Sequence, residues 1–503
     1  MKMNSANKPS EQILQKSGDE TRLMGRELDF WIDRFGLPLH LCYSPVIREN
    51  IRGFHRVFRE AYPRGEVRYA VKASAHPSVL RIVQEEGGGA DVASYNEVRS
   101  ARQAGIDPEK LVLNGNCKED ELIEEAIREN MLIIADCREE FDLIAEIAVR
   151  MGKRPRVLLR ISGYNLGNVT QASVFTAGIW TKFGEPIDRV PDFIKSLQDY
   201  PQVNFMGFHT HIGSQITELK PYRAVLGRLG ELGRHLNRAG IKCRVINIGG
   251  GYPVSYVDKD TWDNLVQRTR EGLEAARRGD FSHMFCWAGQ TEGFPPDETG
   301  QINLDKWNGE KFYSAYPKWN MLRALLKGTV PVDGEEIPTV EALDGLGGPI
   351  LMVEPGRSIV EDAGITLARA SHVRTISGGH NLVALEMGVT SYCDSLIEGD
   401  IKHWEILTGS PSGDDEPFET FVGGNLCFSG DMLAKYKISL PRRPKRGDIL
   451  MIRATGAYSS SYMPANANSF PRPARILVDE KGKFTVMKRR DRYDDIFSQE
   501  IMN

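Results

Sequence analysis

Lys72 closes the apolar run of VRYAVKAS, where a strand leaves a hydrophobic interior, an odd place for a solvated charge. A lysine partly desolvated there loses basicity, and its neutral amine forms a Schiff base with an aldehyde. The plainer reading is a strand-end lysine whose ammonium snorkels to water. Three further segments bear on that choice. GFHTHIGSQ (207–215) sets His209 and His211 at the strand period, so both rings point to one side, with Ser214 following. Two such imidazoles serve a metal ion or a stacked aromatic ring, and no carboxylate lies close in sequence to complete a metal site. INIGGGYP (246–253) places Gly249, Gly250 and Gly251 directly after a strand, where backbone N–H groups come up against a phosphate. MVEPGRSIV (352–360) ends a strand in Glu354, turns at Pro-Gly, and supplies the Gly356 N–H and the Arg357 guanidinium. Each segment alone is a weak signal. The three together are not.

These residues need elements to position them. From about Ser44 to Arg357 short apolar runs alternate with amphipathic stretches. VRYAV (67–71) precedes a helical segment over 77–86, LVLNG (111–115) precedes 120–130, and MLIIAD (131–136) precedes 138–151. RVLLRI (156–161), VNFMGFHTHIG (203–213), RVINIGG (244–250) and ILMVE (350–354) continue the series. Continuous apolar strands separated by helices indicate a parallel sheet covered by helices. Seven or eight units predict a (β/α)8 TIM barrel, whose active site lies at the C-terminal strand ends. Past Arg357 the segments turn short, β-rich and punctuated by Gly, Pro and Asp, which predicts an antiparallel β domain. The spacing divides the chain into an N-terminal arm and helix (1–36), a strand joining the β domain (37–44), the barrel (45–360) and the β-rich remainder (361–503). A Gly-, Pro- and aromatic-rich insertion at about 255–345 interrupts the barrel, either over its mouth or as surface decoration.

Composition narrows the class. The chain has 503 residues, 41% hydrophobic and 26% charged, more than one ordinary core accommodates. A formal net charge of -4 gives no basic surface for nucleic acid. The polar opening MKMNSANKPSEQILQKSGDE reads as a mobile arm without a signal-peptide pattern, and no apolar run approaches the ~18 residues of a membrane span. Seven scattered cysteines, none in a C-x-x-C pair, favour neither a disulfide framework nor structural zinc, and suggest a reducing cytoplasm.

With these segments in this order, the chain resembles the barrel-type (fold type III) decarboxylases dependent on pyridoxal 5′-phosphate. That family includes diaminopimelate decarboxylase, bacterial D-ornithine/D-lysine decarboxylase and eukaryotic ornithine decarboxylase. The likeness runs from about Leu37 to Ile501, broken by the insertion. It implies an alanine racemase/ornithine decarboxylase-like pairing of barrel and β domain. It also implies that Lys72 is the lysine joined to the cofactor. Asp91 and Glu97, in GGGADVASYNEV, match the family's D-x-x-S-x-x-E loop, and Arg160 its strand-end arginine. His211 resembles the imidazole stacked on the pyridine ring and Ser214 a phosphate ligand. Gly249, Gly250 and Gly251 match the phosphate loop, Glu354 the partner of the pyridine nitrogen, and Gly356 and Arg357 further phosphate contacts. GGNLCFSGD (423–431) resembles G-x-x-C-E-S-x-D, which makes Cys427 the proton donor opposite the lysine, reaching into a partner subunit's barrel in a two-fold dimer. GAYSSSYMPANANSFPRPA (456–474) puts Tyr458 beside the cofactor.

The departures concern the substrate. Phe428 stands where relatives carry the acid that holds the distal amine, and Phe470 where they carry an arginine. GVTSYCDSLIEGD lacks the R-P-x-x-Y run that grips diaminopimelate's distal carboxylate. Losing several matched charges argues against diaminopimelate. Asp394 and Glu398 remain as ammonium partners or as solvated loop acids. A racemase or epimerase on the same barrel and a catalytically silent cofactor-binding homologue are the alternatives. The first usually wants a weaker electron sink than Glu354 offers, and the second tends to lose the lysine or the cysteine.

Overall fold

The computed structural model describes residues 9–17, 20–165, 176–287, 294, 299, 301–305, 311–391, 401–409, 415–459 and 465–501. They fall into two compact units. One takes 48–254 with 308–359. The other takes the described residues up to Ile47, those of 255–307, and those from Val360 onward.

The first unit is a closed barrel of eight parallel strands: Gly65–Ala70, Gly89–Val92, Leu111–Leu113, Leu132–Ala135, Arg156–Ser162, Asn204–His209, Val245–Asn247 and Ile350–Val353. Each pairs in parallel with the next, and the eighth returns to the first through Leu351↔Gly65 and Val353↔Val67. Apolar side chains fill the interior, with Val112, Leu132, Ile134, Leu158, Val245 and Met352 in one buried cluster. Burying such branched and thioether chains supplies the main favourable term. The second strand carries no apolar run, and the sequence reading took GGGADV for loop. Its glycines answer a packing need: a Cβ on Gly89 would sit 2.2 Å from the Lys110 carbonyl oxygen.

The rest of the D-x-x-S-x-x-E motif starts a helix. Ser94 caps Tyr95–Gln103 by accepting from the Glu97 N–H (3.3 Å), and the Glu97 carboxylate accepts from the Ala93 N–H (2.7 Å). Reciprocal bonds of this kind satisfy donors that a helix start leaves unpaired.

In the second unit the long strand Gly364–Thr375 runs antiparallel to Leu39–Tyr43, Asn381–Leu385 and Ile449–Arg453. The sheet is not wholly antiparallel: Ala474–Val478 lies parallel to Leu39–Tyr43, and Phe418–Gly423 parallel to Asn381–Leu385. The opening residues differ from the mobile arm expected of their polar composition. Leu14–Ser17 pairs with Glu20–Leu23, and Ile13 and Leu23 are buried. Two apolar side chains suffice to anchor an otherwise polar hairpin. Helix Lys259–Arg277, from the stretch read as an insertion, groups with this unit, whereas helix Trp319–Lys327 groups with the barrel.

Leu39–Tyr43 is buried along its whole length and sits between two strands. Leu41→Ala should therefore destabilise the β unit by about 3 kcal/mol, read as an earlier unfolding transition in urea. An unchanged midpoint would mean that this strand is not part of the core.

Candidate functional site

At the C-terminal ends of the barrel strands the structure gathers side chains from distant positions of the chain. Lys72 lies on a single 3-10 turn, Val71–Ala73, just beyond the first strand. It is exposed, not half-buried as its apolar neighbours suggested. Gly356 packs beside that turn, where a Cβ would come within 3.1 Å of the Ala70 Cβ and 3.2 Å of the Ala73 Cβ. Only a glycine lets the two strand ends approach so closely.

Glu354 is almost fully buried, with both carboxylate oxygens engaged. The Asn247 amide donates to Oε1 at 2.6 Å, and His209 Nε2 lies 3.4 Å from Oε2. Burial pushes the Glu354 carboxyl up to about 7, against the Asn247 hydrogen bond and the cations Arg160, Lys72 and Arg68. Asp91 is likewise raised to about 7, first by burial and then by the charge of Glu354, while Lys72 and His209 pull it down. The charge of Glu354 thus disfavours ionisation of Asp91. Burial also raises Glu97, which feels both Asp91 and Lys72. These mutual influences bring Lys72, Asp91, Glu97 and Glu354 into one neighbourhood.

The two histidines take different tasks. His209, left open between a metal ligand and a stacked ring, faces Glu354, a carboxylate 145 residues away in sequence. Among the described residues no three His, Cys, Asp or Glu side chains gather as a metal ion requires. His211 Nδ1 accepts from the Gly250 N–H at 3.0 Å. Burial, reinforced by the charges of Lys72 and Arg160, holds His211 well below the usual imidazole range. It is a neutral flat ring.

Gly249 has φ +66, and a Cβ there would lie 2.5 Å from the Thr210 carbonyl oxygen; on Gly250 it would lie 2.4 Å from that of Glu354. Any side chain at either position would close the cradle. Ser214 is half-buried beyond His211, and Arg357 and Ser358 are buried in the short helix Arg357–Val360. Asp91 Oδ1 and His209 Nδ1 are buried without a hydrogen-bond partner. Such atoms are costly unless a polar group meets them. A glycine cradle, a neutral ring, a buried carboxylate and a strand-end amine fit pyridoxal 5′-phosphate.

Several neighbours were not read from the sequence. The Arg160 guanidinium stacks 4.2 Å over Phe183 and stands 3.5 Å from Asp136. Lys118, its side chain fully buried, bonds Glu140 at 2.6 Å and the Gly115 carbonyl at 2.7 Å. Asn247 was passed over beside its glycines, although a polar residue ending the apolar VIN strand was the signal.

Within the second unit, Cys427 and Phe428 are exposed on a tight turn, Phe428 at 57%. The buried Asp431 carboxylate holds that turn by accepting from the Val389 and Leu426 N–H groups, each at 2.6 Å. The Cys427 N–H donates to Asn468 Oδ1 at 3.0 Å. Tyr458 sits in the left-handed region, φ 60, as does Ala454, φ 56. Buried Glu361 pins this strained turn by accepting from the Ala457 N–H (2.8 Å), Lys402 (3.0 Å) and Tyr256 (2.8 Å). Phe470 is 39% exposed. Asp394 and Glu398 lie outside the described residues.

The comparisons with known proteins agree with this geometry. The family model for the pyridoxal-dependent decarboxylase, pyridoxal binding domain, matches residues 48–284. The chain is 28% identical over 468 residues to the diaminopimelate decarboxylase of Methanothermobacter thermautotrophicus, covering 92% of this chain and 91% of that one. Its fold matches the diaminopimelate decarboxylase of M. jannaschii in complex with L-lysine, with a TM-score of 0.76 at 23% identity over 98% of this chain and 99% of that one. It also matches the lysine/ornithine decarboxylase of Vibrio vulnificus complexed with putrescine, TM-score 0.63 at 20% identity over 90% and 97%. No helix among the described residues is long and apolar enough to cross a membrane. Over 92% of its length the chain is thus similar to a diaminopimelate decarboxylase, its residues 48–284 match the pyridoxal binding domain, and it is an amino-acid carboxy-lyase that depends on pyridoxal 5′-phosphate.

Proposed function

We propose that this carboxy-lyase acts on an amino acid whose side chain ends differently from that of diaminopimelate. The observation that carries this reading is Phe428, an exposed aromatic ring directly after the exposed Cys427. An acid at that position meets a distal ammonium; a phenyl ring offers apolar surface and no counter-charge. Phe470, also partly exposed, supports the same direction.

The residues divide the work as follows. Pyridoxal phosphate, when bound, supplies the electron sink for the pair left at Cα as CO2 departs. Lys72 would hold the cofactor through its side-chain amine. Gly249, Gly250 and Gly251, with Ser214, Gly356 and Arg357, would hold the phosphate, and Tyr458 is read as a neighbour of the phosphate or of the lysine link. His211, neutral and flat, would meet the ring, and Arg160, Asp91 and Glu97 border the site. Glu354 would keep a proton on the ring nitrogen, the requirement for a deep sink and the feature that favours decarboxylation over racemisation. Cys427 delivers a proton to Cα on the opposite face. The reading includes a two-fold dimer in which Cys427 of one subunit serves the other's barrel, because an exposed thiol beside a 57% exposed phenylalanine suits a surface that a partner covers. It also includes residence in the cytoplasm, with neither nucleic acid nor membrane as a partner. Asp394 and Glu398 stand as acids for a substrate ammonium.

A CO2-release screen over L- and D-amino acids with meso-diaminopimelate tests the substrate. An amino acid other than diaminopimelate should give the largest kcat/KM, and Phe428→Glu should shift preference toward substrates with a distal ammonium by about 10-fold or more. Cys427→Ala should lower kcat by about 100-fold or more. Turnover of diaminopimelate better than any other compound would overturn the specificity reading.

Glu354 also makes a prediction for the cofactor-free protein. A carboxyl raised from 4.5 to about 7 keeps its proton in the folded chain after the unfolded chain has lost it. Its contribution to stability is thus favourable below about pH 4.5, declines as pH rises, and is fully lost above about 7. Glu354→Gln should stabilise the cofactor-free protein at pH 8 by about 2–3 kcal/mol, with the gain vanishing toward pH 4.5. Thermal unfolding across that range measures it. Parallel pH profiles for the two proteins would contradict the burial of that charge.

A further inference from the structure

Asn247 closes a ring of hydrogen bonds. Its amide N–H donates to Glu354 Oε1 (2.6 Å), and its amide oxygen accepts from the Gly249 N–H (2.9 Å). The Gly249 carbonyl in turn accepts from the Glu354 N–H (2.8 Å). The Asn247 side chain is fully buried, at the last residue of the seventh strand. Each neighbour dictates one end of the amide: the Gly249 donor demands the oxygen, and the carboxylate demands the NH2. Serine would leave one of these groups unpaired, alanine both, and an ionised aspartate would repel the carboxylate.

The ring joins two parts of the site that no other described side chain connects through its own two ends. Gly249 belongs to the phosphate cradle, and its φ of +66 depends on where its N–H points. Glu354 belongs to the pyridine nitrogen. Its other oxygen is held by His209, and among the described residues Asn247 is the donor that Oε1 meets.

We propose that Asn247 is the positioning residue that sets the Glu354 carboxylate and the phosphate loop in register, so that one cofactor molecule meets both. The inference rests on the assignment of Glu354 and the glycines to pyridoxal phosphate. Asn247 itself acts through those groups.

The ionisable groups around Glu354 are His209, Asp91, Lys72, Arg160, Arg68 and Tyr252, and all remain in place when Asn247 changes. Asn247→Asp keeps the acceptor for Gly249 and replaces the donor by a second carboxyl. At low pH that carboxyl is protonated and donates to Glu354. At high pH both are charged and repel at hydrogen-bond distance.

The test is the dissociation constant of pyridoxal 5′-phosphate, read from the near-visible absorbance of the bound cofactor, for wild type, Asn247→Asp and Asn247→Ala at pH 6 and pH 9. Asn247→Ala should weaken binding by about 10-fold at both pH values, the loss of one buried charge-assisted hydrogen bond. Asn247→Asp should bind within about threefold of wild type at pH 6 and about 100-fold more weakly at pH 9. A residue that merely fills space would lower the melting temperature without a pH-dependent ratio of affinities. The swap Asn247→Asp with Glu354→Gln exchanges donor and acceptor across the same contact. It should recover the melting temperature of the cofactor-free protein and abolish the pH dependence, while leaving affinity below wild type. Equal affinities for wild type and Asn247→Asp at both pH values would overturn the inference. So would a swap that stays as pH-dependent as the single variant. If wild type itself binds no pyridoxal phosphate, the reading of the site fails instead, and the two failures are thereby told apart.

Discussion

The barrel mouth is organised around one unfavourable choice, a carboxylate sealed away from water. Glu354 is buried with a second, half-buried acid, Asp91, nearby; burial raises both, and the charge of Glu354 raises Asp91 further. Such a pair is tolerable only where cations and fixed donors answer it. Arg160, Lys72 and Arg68 supply the charge, and Asn247 and His209 the donors. The backbone follows from this need. Strand seven ends in a polar residue, the chain then turns through three glycines, and the eighth strand delivers Glu354 at a level where only hydrogen at Gly250 leaves room for its carbonyl.

The same device recurs in the β-rich unit, at two loops that carry exposed chemistry. Asp431 spends its carboxylate on the turn that presents Cys427 and Phe428. Glu361 spends its own on the left-handed turn ending at Tyr458. Neither acid needs to touch a substrate. Each converts a strained or irregular backbone into a fixed one, because a buried anion bonded to backbone N–H groups is lost only at high cost. The loops that carry Cys427 and Tyr458 have their shape set from behind.

Much of this was legible in the sequence, for physical reasons. Apolar runs that continue without alternation can only be strands covered on both faces, and seven of the eight barrel strands announced themselves that way. The second, Gly89–Val92, did not, because close packing against Lys110 required glycine where burial would otherwise have placed valine or isoleucine. Lys72, Glu354 and the glycine loop were visible as charges and turns at strand ends. What stood hidden were partners brought together by closure of the barrel: His209 with Glu354, Arg160 with Asp136 and Phe183, and Lys118 with Glu140. Local spacing carries no trace of such contacts. The opening hairpin was hidden for the opposite reason, since its polar composition masks two anchoring side chains, Ile13 and Leu23.

The most direct measurement is chemical capture of the linked lysine. Reduction of the cofactor-loaded enzyme with borohydride fixes pyridoxal phosphate to whichever amine holds it, and peptide mass spectrometry then locates that amine. The account predicts a single phosphopyridoxyl group on Lys72, within the peptide that follows the first barrel strand. A label on any other lysine, or none on the loaded protein, would contradict it.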